Sequence, residues 1–324
     1  MTAGQLSGHA LHIVSGKGGT GKTTVAAALA CALATAGRRV LLCEVEDRHA
    51  VSELFEVPRL APATEPLLLR TSSGGAVHGL SIDARSALLE YLDKFYKLGL
   101  AGKALDKFGV YDFATSIAPG LRDVLLTGKV YEAVRRKLKN RRNAYDAVVL
   151  DAPPTGRIGA FLNVHQAVAG LAKMGPIHNQ ADSIIRLFRS EHTVVHLVTL
   201  LQDMPVTETR EAVAELSDTG ITVGSVICNR ITELPLPADQ IVRAAARELP
   251  VEVPGLGADE NAALAEELAF DAAWWANEQA CRTQLEELRL PLIELPDDPA
   301  GVDRATLFTL ADALARQMPG EVGR

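Results

Sequence analysis

Residues 16–24 constrain the fold of this chain more than any other stretch. They read Gly-Lys-Gly-Gly-Thr-Gly-Lys-Thr-Thr and complete the phosphate-binding pattern G-x-x-x-x-G-K-[ST]. The apolar run 11–15 precedes them, and the Ala/Leu-rich stretch 25–34, which leads to Gly37, follows them. This order predicts a strand, a glycine-rich loop and a helix, a setting in which backbone N–H groups bind phosphate oxygens. The loop therefore predicts a nucleotide site.

Residue types within the loop indicate the contacts that each side chain makes. Lys22 is expected to neutralise the β- and γ-phosphates, and the Thr23 hydroxyl is expected to hold Mg²⁺. The residues expected around the nucleotide phosphates are Gly16, Gly18, Gly19, Thr20, Gly21, Lys22, Thr23 and Thr24. ATP or ADP with Mg²⁺ is the expected ligand set. The complete motif in its complete setting disfavours the alternative of a plain tight turn.

An aspartate ends the predicted strand 147–151. Asp151 closes an apolar run and is followed by Ala-Pro-Pro-Thr-Gly, so it is expected to hold a Mg²⁺-bound water. A helix N-cap or a satisfied turn carboxylate is the alternative role for this side chain. The residues expected to sense the γ-phosphate through the backbone are Pro154, Thr155 and Gly156.

Three acidic residues lie at the carboxyl end of the predicted strand 40–45. An acidic residue at this point can orient the water that attacks the γ-phosphate. Glu46 is the preferred candidate for this role, and Glu44 and Asp47 remain as alternatives. Each of the three is also compatible with an ordinary acidic strand end.

The order of predicted elements indicates an α/β fold. Strands are predicted at 11–15, 40–45, 77–82, 147–151, 193–199, 222–229 and 292–295, with helices between them. Alternating strands and helices predict crossover units, and apolar strands with little alternation predict a doubly wound, mainly parallel sheet covered on both faces. The nucleotide then belongs at the carboxyl ends of the strands. We predict a single domain over 1–324, with helical subdomain elements at about 85–138 and 161–190.

Charge and cysteine usage exclude several classes of partner. The net charge of −7 disfavours nucleic acid, and the one basic cluster, 135–142, is expected to be a solvated helix end. Four cysteines form no C-x-x-C pair, so no structural zinc is expected, and most of them are expected to be small core residues. A signal peptide and a long apolar span are not visible, which favours the cytoplasm.

These motifs together resemble the ArsA/Get family of ATPases. The resemblance lies in the lysine-bearing loop, in 46–49, in 151–162 and in the strand that ends at Cys-Asn-Arg, 228–230, in matching order and spacing. That family contains arsenite-pump ATPases and ATPases that target tail-anchored membrane proteins. The resemblance implies a SIMIBI-type P-loop NTPase, a dimer that opens and closes with ATP binding and hydrolysis, and a helical subdomain in each chain.

The resemblance also implies roles for individual residues. Lys17 marks the deviant form of the loop, in which this lysine reaches across the dimer to the partner's nucleotide; a solvated loop lysine is the alternative. Asn229 is expected to contact adenine, since an amide donates and accepts at once, and the neighbouring Arg230 is also expected at the nucleotide. The expected catalytic set is Lys17, Lys22, Glu46 and Asp151.

Departures from the family pattern affect the expected activity and client. Glu46 stands where the family usually has Asp, and one extra methylene can displace a carboxylate, so weak hydrolysis by the chain alone is expected. Arg157 stands where the family usually has His. The chain also has only 4 Met and a single ATPase unit, which disfavours both the tail-anchor and the arsenite role. A hydrophobic client protein or a membrane partner remains open.

Three alternatives to a self-sufficient homodimer remain at the level of sequence. The chain could form a heterodimer with a related ATPase whose switch Asp is intact, and it would then be weakly active or non-hydrolysing alone. A positioning ATPase of the MinD/ParA kind is less favoured because the tail 303–317 has only two cations, Arg304 and Arg316. A cluster-bearing reductase is nearly excluded because no cysteine lies near Asp151.

Overall fold

The computed structural model describes residues 8–45, 49–62, 64–96, 120–138, 142–163, 176–232, 237–248, 253–298 and 300–318. Within these ranges, a single eight-stranded sheet forms the centre of the molecule. Its strands are β1 (Leu11–Gly16), β2 (Arg39–Val45), β3 (Leu67–Arg70), β4 (Ala76–Ile82), β5 (Ala147–Asp151), β6 (Thr193–Thr199), β7 (Val223–Ile231) and β8 (Leu292–Pro296). Their order is β3-β4-β2-β5-β1-β6-β7-β8, so the loop after β1 lies near the middle of the sheet.

Helices connect the strands and cover both faces of the sheet. They are α1 (Lys22–Thr35), α2 (Ala50–Leu54), α3 (Ala84–Tyr96), α4 (Leu121–Arg135), α5 (Thr155–Leu162), α6 (Pro176–Phe188), α7 (Asp203–Asp218), α8 (Ala238–Ala245), α9 (Ala258–Glu286) and α10 (Arg304–Gln317). Helices α1 and α10 pack on one face, and α4 to α7 pack on the other. Every described strand pair is parallel except β3 with β4. The predicted doubly wound, mainly parallel sheet is confirmed.

Strand β1 shows why the central strands are continuous apolar runs. Leu11 and Ile13 pack into the apolar cluster under α4 to α7, whereas Val14 packs toward α1. All three side chains are fully buried. A strand buried on both faces has no solvent side, so its sequence lacks the polar alternation of a half-exposed strand.

Helix α1 is buried on all sides because it lies between the sheet and the C-terminal helix α10. Its alanines leave room for the neighbouring helix, whose Leu307, Leu310 and Leu314 are buried in the same cluster. The apolar side chains of α10 are therefore used inside the fold. This packing disfavours the membrane-binding C-terminal helix that the MinD/ParA alternative requires.

The sequence prediction missed one strand. Strand β3 pairs antiparallel with β4 at the edge of the sheet, and Leu67 is 44% exposed while Leu68 and Leu69 are buried. Four residues directly after Pro66 are too few for a periodic signal, and pairing with β4 is what makes them a strand. The seven predicted strands are all present, with ends that differ by at most two residues.

Helices α3, α4 and α6 fall in the two stretches predicted as helical. They pack on one another, and Leu88 and Tyr91 of α3 are buried, as their helical spacing predicts. Residues 97–119 and 164–175 of these stretches lie outside the described residues, and a separate helical subdomain stays a prediction. Among the described helices, none combines the length and the apolarity that a membrane span requires.

The four cysteines behave as core residues. All are free and buried, and burial raises the pKa of both Cys31 and Cys228 to about 12. Their thiols are therefore protonated at neutral pH. This agrees with the prediction that cysteine here is a small apolar residue rather than a reactive one.

A row of polar side chains is buried across three neighbouring strands. A distance of 3.2 Å joins Nδ1 of His12 to Nε2 of His196, and 2.7 Å joins Nδ1 of His196 to Oγ of Ser225. Burial, together with the electrostatic influence of His196, His9 and Arg38, holds the pKa of His12 well below its usual range. Burial, together with His9, lowers the pKa of His196 to about 3. Both rings are neutral at pH 7.

Acid is expected to destabilise the chain through these two histidines. Their pKa is lower in the folded than in the unfolded chain, so the folded chain binds fewer protons. The folding stability that the chain has above pH 6.5 is therefore lost progressively as the pH falls from 6.5 toward 3. Each ring contributes on the order of 1 kcal/mol per pH unit in this window. Thermal unfolding measured at a series of pH values below neutrality checks this.

The matched controls are glutamine variants. A chain with both His12→Gln and His196→Gln should lose less stability per pH unit than the wild-type chain. His192→Gln, at an exposed position, should keep the wild-type dependence. Equal pH dependence in all three chains would show that the buried pair does not titrate as proposed.

Candidate functional site

The glycine-rich loop joins the carboxyl end of β1 to the first turn of α1. Gly19 and Gly21 have φ angles of 87° and 86°, which glycine adopts without steric cost. A β-carbon at Gly21 would also lie 2.3 Å from Nδ2 of Asn229. A β-carbon at Gly18 or Gly19 would meet nothing within 4 Å, so this part of the loop is open to a ligand.

Side chains within the loop hold its shape. The carbonyl oxygen of Lys17 accepts a hydrogen bond from Nζ of Lys22 at 3.0 Å and another from Oγ1 of Thr20 at 2.9 Å. Lys22 is buried and is the first residue of α1, so its ammonium lies at the loop, close to the N-terminal end of the helix. This places a positive charge where helix N–H groups favour phosphate.

Thr23 and Asp151 meet beside the loop. Oγ1 of Thr23 donates a hydrogen bond of 2.7 Å to Oδ2 of Asp151, whose side chain is buried. They meet because β5 is the neighbour of β1, with Asp151 opposite Val14. A hydroxyl and a carboxylate are the oxygen donors that Mg²⁺ prefers, so these two residues fit the predicted magnesium site. The N-cap alternative is wrong, because Pro154 is the N-cap of α5.

The segment after Asp151 is attached to β1. Oγ of Ser15 donates a 2.7 Å hydrogen bond to the carbonyl oxygen of Pro153, and α5 begins at Thr155 directly after Pro154. Thr155 is buried and Gly156 is exposed. The three residues predicted to sense the γ-phosphate therefore form the start of a helix whose N-terminus follows Asp151.

Lys17 is engaged within its own chain. Its Nζ lies 2.5 Å from Oε1 of Glu208 on α7, and both side chains are 29% exposed. The second oxygen of Glu208 accepts a 3.1 Å hydrogen bond from Oγ1 of Thr155. The lysine is thus paired and only partly exposed, and its predicted contact with a partner's nucleotide stays a prediction.

Asn229, at the end of β7, supports the loop from the side. Its Nδ2 donates a 2.9 Å hydrogen bond to the carbonyl oxygen of Thr20, and the side chain is buried. Arg230 follows it with φ of 57° and is exposed. The amide N–H of Asn229 thus holds the loop, and its predicted contact with adenine stays a prediction.

Glu46 lies outside the described residues, so its predicted role stays a prediction. Glu44 lies within them: it is fully buried and stands opposite Asp151 in the β2–β5 register. Its Oε2 accepts a 3.3 Å hydrogen bond from the backbone N–H of Val51. A second carboxylate is thus buried at the same edge of the sheet as Asp151.

Arg157 connects this segment to α4. Its Nη2 lies 3.5 Å from Oδ1 of Asp123, whose side chain is 16% exposed. Arg157, which stands where the family usually has His, therefore makes an ion pair with α4, and α4 lies in the stretch 85–138 that was predicted to be helical.

Sequence reasoning missed Ser15, Asp123 and Glu208. Each is an ordinary residue type in an ordinary strand or helix, and none is a defining position of a motif. The one usable signal for Glu208 is its place on the helix that follows β6, the other neighbour of β1.

The fold and the site define an α/β P-loop nucleoside triphosphatase, with a glycine-rich loop, a buried lysine and a strand-end aspartate at the middle of a parallel sheet. A family model described as "Anion-transporting ATPase" (ArsA) matches residues 9–191, which contain all three features. The chain belongs to this family of ATPases.

Curated relatives agree with this assignment. "ATPase BagA" of Mycobacterium tuberculosis is 46% identical over 323 residues, which cover 97% of this chain and 94% of that protein. A protein of Aquifex aeolicus, provisionally named arsenical pump-driving ATPase 2, is 27% identical over 261 residues, 71% of this chain and 82% of that protein. "ATPase get3" of Schizosaccharomyces japonicus is 27% identical over 185 residues, 53% of this chain and 51% of that protein. The resemblance predicted from the motifs is confirmed.

Proposed function

We propose that the chain is a Mg²⁺-dependent ATPase that works as a dimeric switch, in which the nucleotide state controls the binding of a client protein or membrane partner. The observation that carries the proposal is the 2.7 Å hydrogen bond between Thr23 and Asp151, directly beside Lys22. It supports the proposal because it joins a loop hydroxyl and a strand-end carboxylate, the pair that P-loop ATPases use around the metal.

The residues of the site would divide the work as follows. Lys22 and the first N–H groups of α1 would bind the β- and γ-phosphates. Thr23 would hold Mg²⁺ directly and Asp151 would hold it through water, as the side chains that approach each other here allow. Bound there with ATP, Mg²⁺ would neutralise part of the phosphate charge.

The switch would use the segment after Asp151. Backbone N–H groups at Thr155 and Gly156 would sense the γ-phosphate, and loss of that phosphate would release them. Arg157 supports a connection to the rest of the chain, since its ion pair with Asp123 joins this segment to α4. Movement of the segment would then reach α4 and the helices packed on it, which are candidates for the client surface.

Two dimers suit this switch. Lys17 would complete the site of a neighbouring subunit, which is either a second copy or a related ATPase. Glu46 would orient the attacking water less well than the shorter Asp of the family, because the extra methylene displaces its carboxylate. This favours slow turnover by the chain alone and faster turnover with a partner that has the Asp.

Steady-state phosphate release from MgATP by the purified chain tests the proposal. We expect slow turnover that chelation of Mg²⁺ removes, and we expect Glu46→Asp to raise it by about tenfold or more. If the wild-type chain and the Glu46→Asp chain both bind ATP but do not hydrolyse it, the heterodimer is favoured. Absence of both binding and turnover would refute the proposed function.

A further inference from the structure

Glu208 contacts two separate parts of the site with one carboxylate. Its Oε1 lies 2.5 Å from Nζ of Lys17 in the glycine-rich loop. Its Oε2 accepts a 3.1 Å hydrogen bond from Oγ1 of Thr155, in the segment that follows Asp151. The helix that carries it, α7, packs against α5. An anionic group thus already contacts the two side chains that flank the proposed phosphate position.

We propose that Glu208 is an intramolecular substitute for nucleotide phosphate, which holds Lys17 and Thr155 in the nucleotide-free chain and must release them when a triphosphate binds. The inference rests on the proposed nucleotide site and deepens it. Glu208 is a positioning residue here, since it acts through Lys17 and Thr155 rather than on the reacting atoms.

Glu208 and a triphosphate compete for Lys17 because both are negatively charged. Lys17 carries one positive charge, which the carboxylate of Glu208 satisfies in the described chain. The triphosphate of a neighbouring subunit offers the same ammonium several anionic oxygens, and a triphosphate on the chain's own loop repels the nearby carboxylate. Either anion can satisfy Lys17, so binding the triphosphate includes the cost of breaking the internal ion pair. The pair is partly exposed, which keeps this cost modest.

The release of Thr155 gives the competition a mechanical consequence. Thr155 is the first residue of α5, and α5 also packs against α4. While Glu208 holds Thr155, the start of α5 is fixed to α7. Displacement of the carboxylate frees the start of α5 together with Lys17, so one event prepares both the loop and the segment after Asp151.

An ordinary stabilising ion pair is the competing explanation, and affinity separates the two. Glu208→Gln keeps the shape of the side chain and removes its charge. Because the variant lacks the competing charge, it should bind the magnesium complex of adenylyl imidodiphosphate, a non-hydrolysable ATP analogue, about three- to tenfold more tightly. A residue with a structural role alone would lower stability and leave affinity unchanged or weaker. Glu211→Gln, an exposed change on the same helix, is the matched control and should leave affinity unchanged.

A double-mutant cycle assigns the effect to Lys17. With Lys17→Ala as the background, Glu208→Gln should change affinity less than about twofold, because no ammonium is left to release. The four chains of the cycle are the wild type, the two single variants and the double variant. In thermal unfolding without nucleotide, the effects of the two substitutions on stability should not add, because Lys17 and Glu208 form one ion pair.

The outcomes separate this inference from the proposed function. Unchanged or weakened affinity in Glu208→Gln, or an effect that persists without Lys17, would overturn the role of Glu208 and leave the ATPase site intact. A different result would overturn both proposals: the two substitutions are coupled in their effect on stability, but the wild-type chain binds no adenylyl imidodiphosphate. The nucleotide site would then be wrong, and this inference would fail with it.

Discussion

Lys22→Ala is expected to weaken MgATP binding by at least about a hundredfold, because truncating one member of a desolvated charge pair costs roughly 2–5 kcal/mol. Lys22 is buried at the start of α1, and its ammonium is held at the loop by the carbonyl oxygen of Lys17. The loop itself should persist, since Thr20 and Asn229 hold it independently of Lys22. Titration of the variant with MgATP measures the loss.

Two controls make this result specific. Lys137→Ala removes a cation from an exposed position far along the chain and should bind MgATP as the wild-type chain does. Circular dichroism and thermal unfolding of Lys22→Ala should show a folded chain. Wild-type affinity in a folded Lys22→Ala chain would exclude the glycine-rich loop as the phosphate site.

Asp151→Asn is expected to lower MgATP turnover by about 10- to 100-fold, the usual cost of removing a residue that orients a metal's ligands. The variant keeps an oxygen that can accept the 2.7 Å hydrogen bond from Thr23, so the fold should be little changed. It removes the negative charge that favours Mg²⁺ here. Turnover measured against Mg²⁺ concentration should therefore show both a lower maximum and a need for more Mg²⁺.

Nucleotide affinity in the absence of Mg²⁺ distinguishes this effect from general damage. That affinity should not weaken in Asp151→Asn, because the carboxylate is not expected to contact phosphate itself. Asp271→Asn, at an exposed position on α9, should turn over MgATP at the wild-type rate. If Asp151→Asn shows wild-type turnover and wild-type Mg²⁺ dependence, Asp151 does not act at the metal.

Sequence alone was sufficient where a signal is local. Seven of the eight strands are mainly apolar runs bounded by turn residues, and the glycine-rich loop is a contiguous motif in a strand-loop-helix setting. The edge strand β3 was missed because its four residues become a strand only by pairing with β4. The position of Asp151 was predictable in kind, since an aspartate that ends a buried strand lies at the ligand edge of a parallel sheet.

Contacts between distant segments were decided by the tertiary structure. Lys17 and Glu208 are far apart in sequence and meet because β1 and β6 are neighbours, which places α7 next to the loop. The same holds for Asn229, whose strand brings it against Thr20. No spacing rule predicts such pairs, because the sheet order that creates them depends on long-range packing.

The sequence by itself therefore determined the class of the protein, a P-loop ATPase of the ArsA type, because backbone geometry and residue chemistry along a short contiguous stretch specify how phosphate is bound. Only the tertiary structure decided what Lys17 contacts within its own chain and where the segment after Asp151 is attached. Those contacts depend on which elements lie side by side, and that order is a property of the whole folded core.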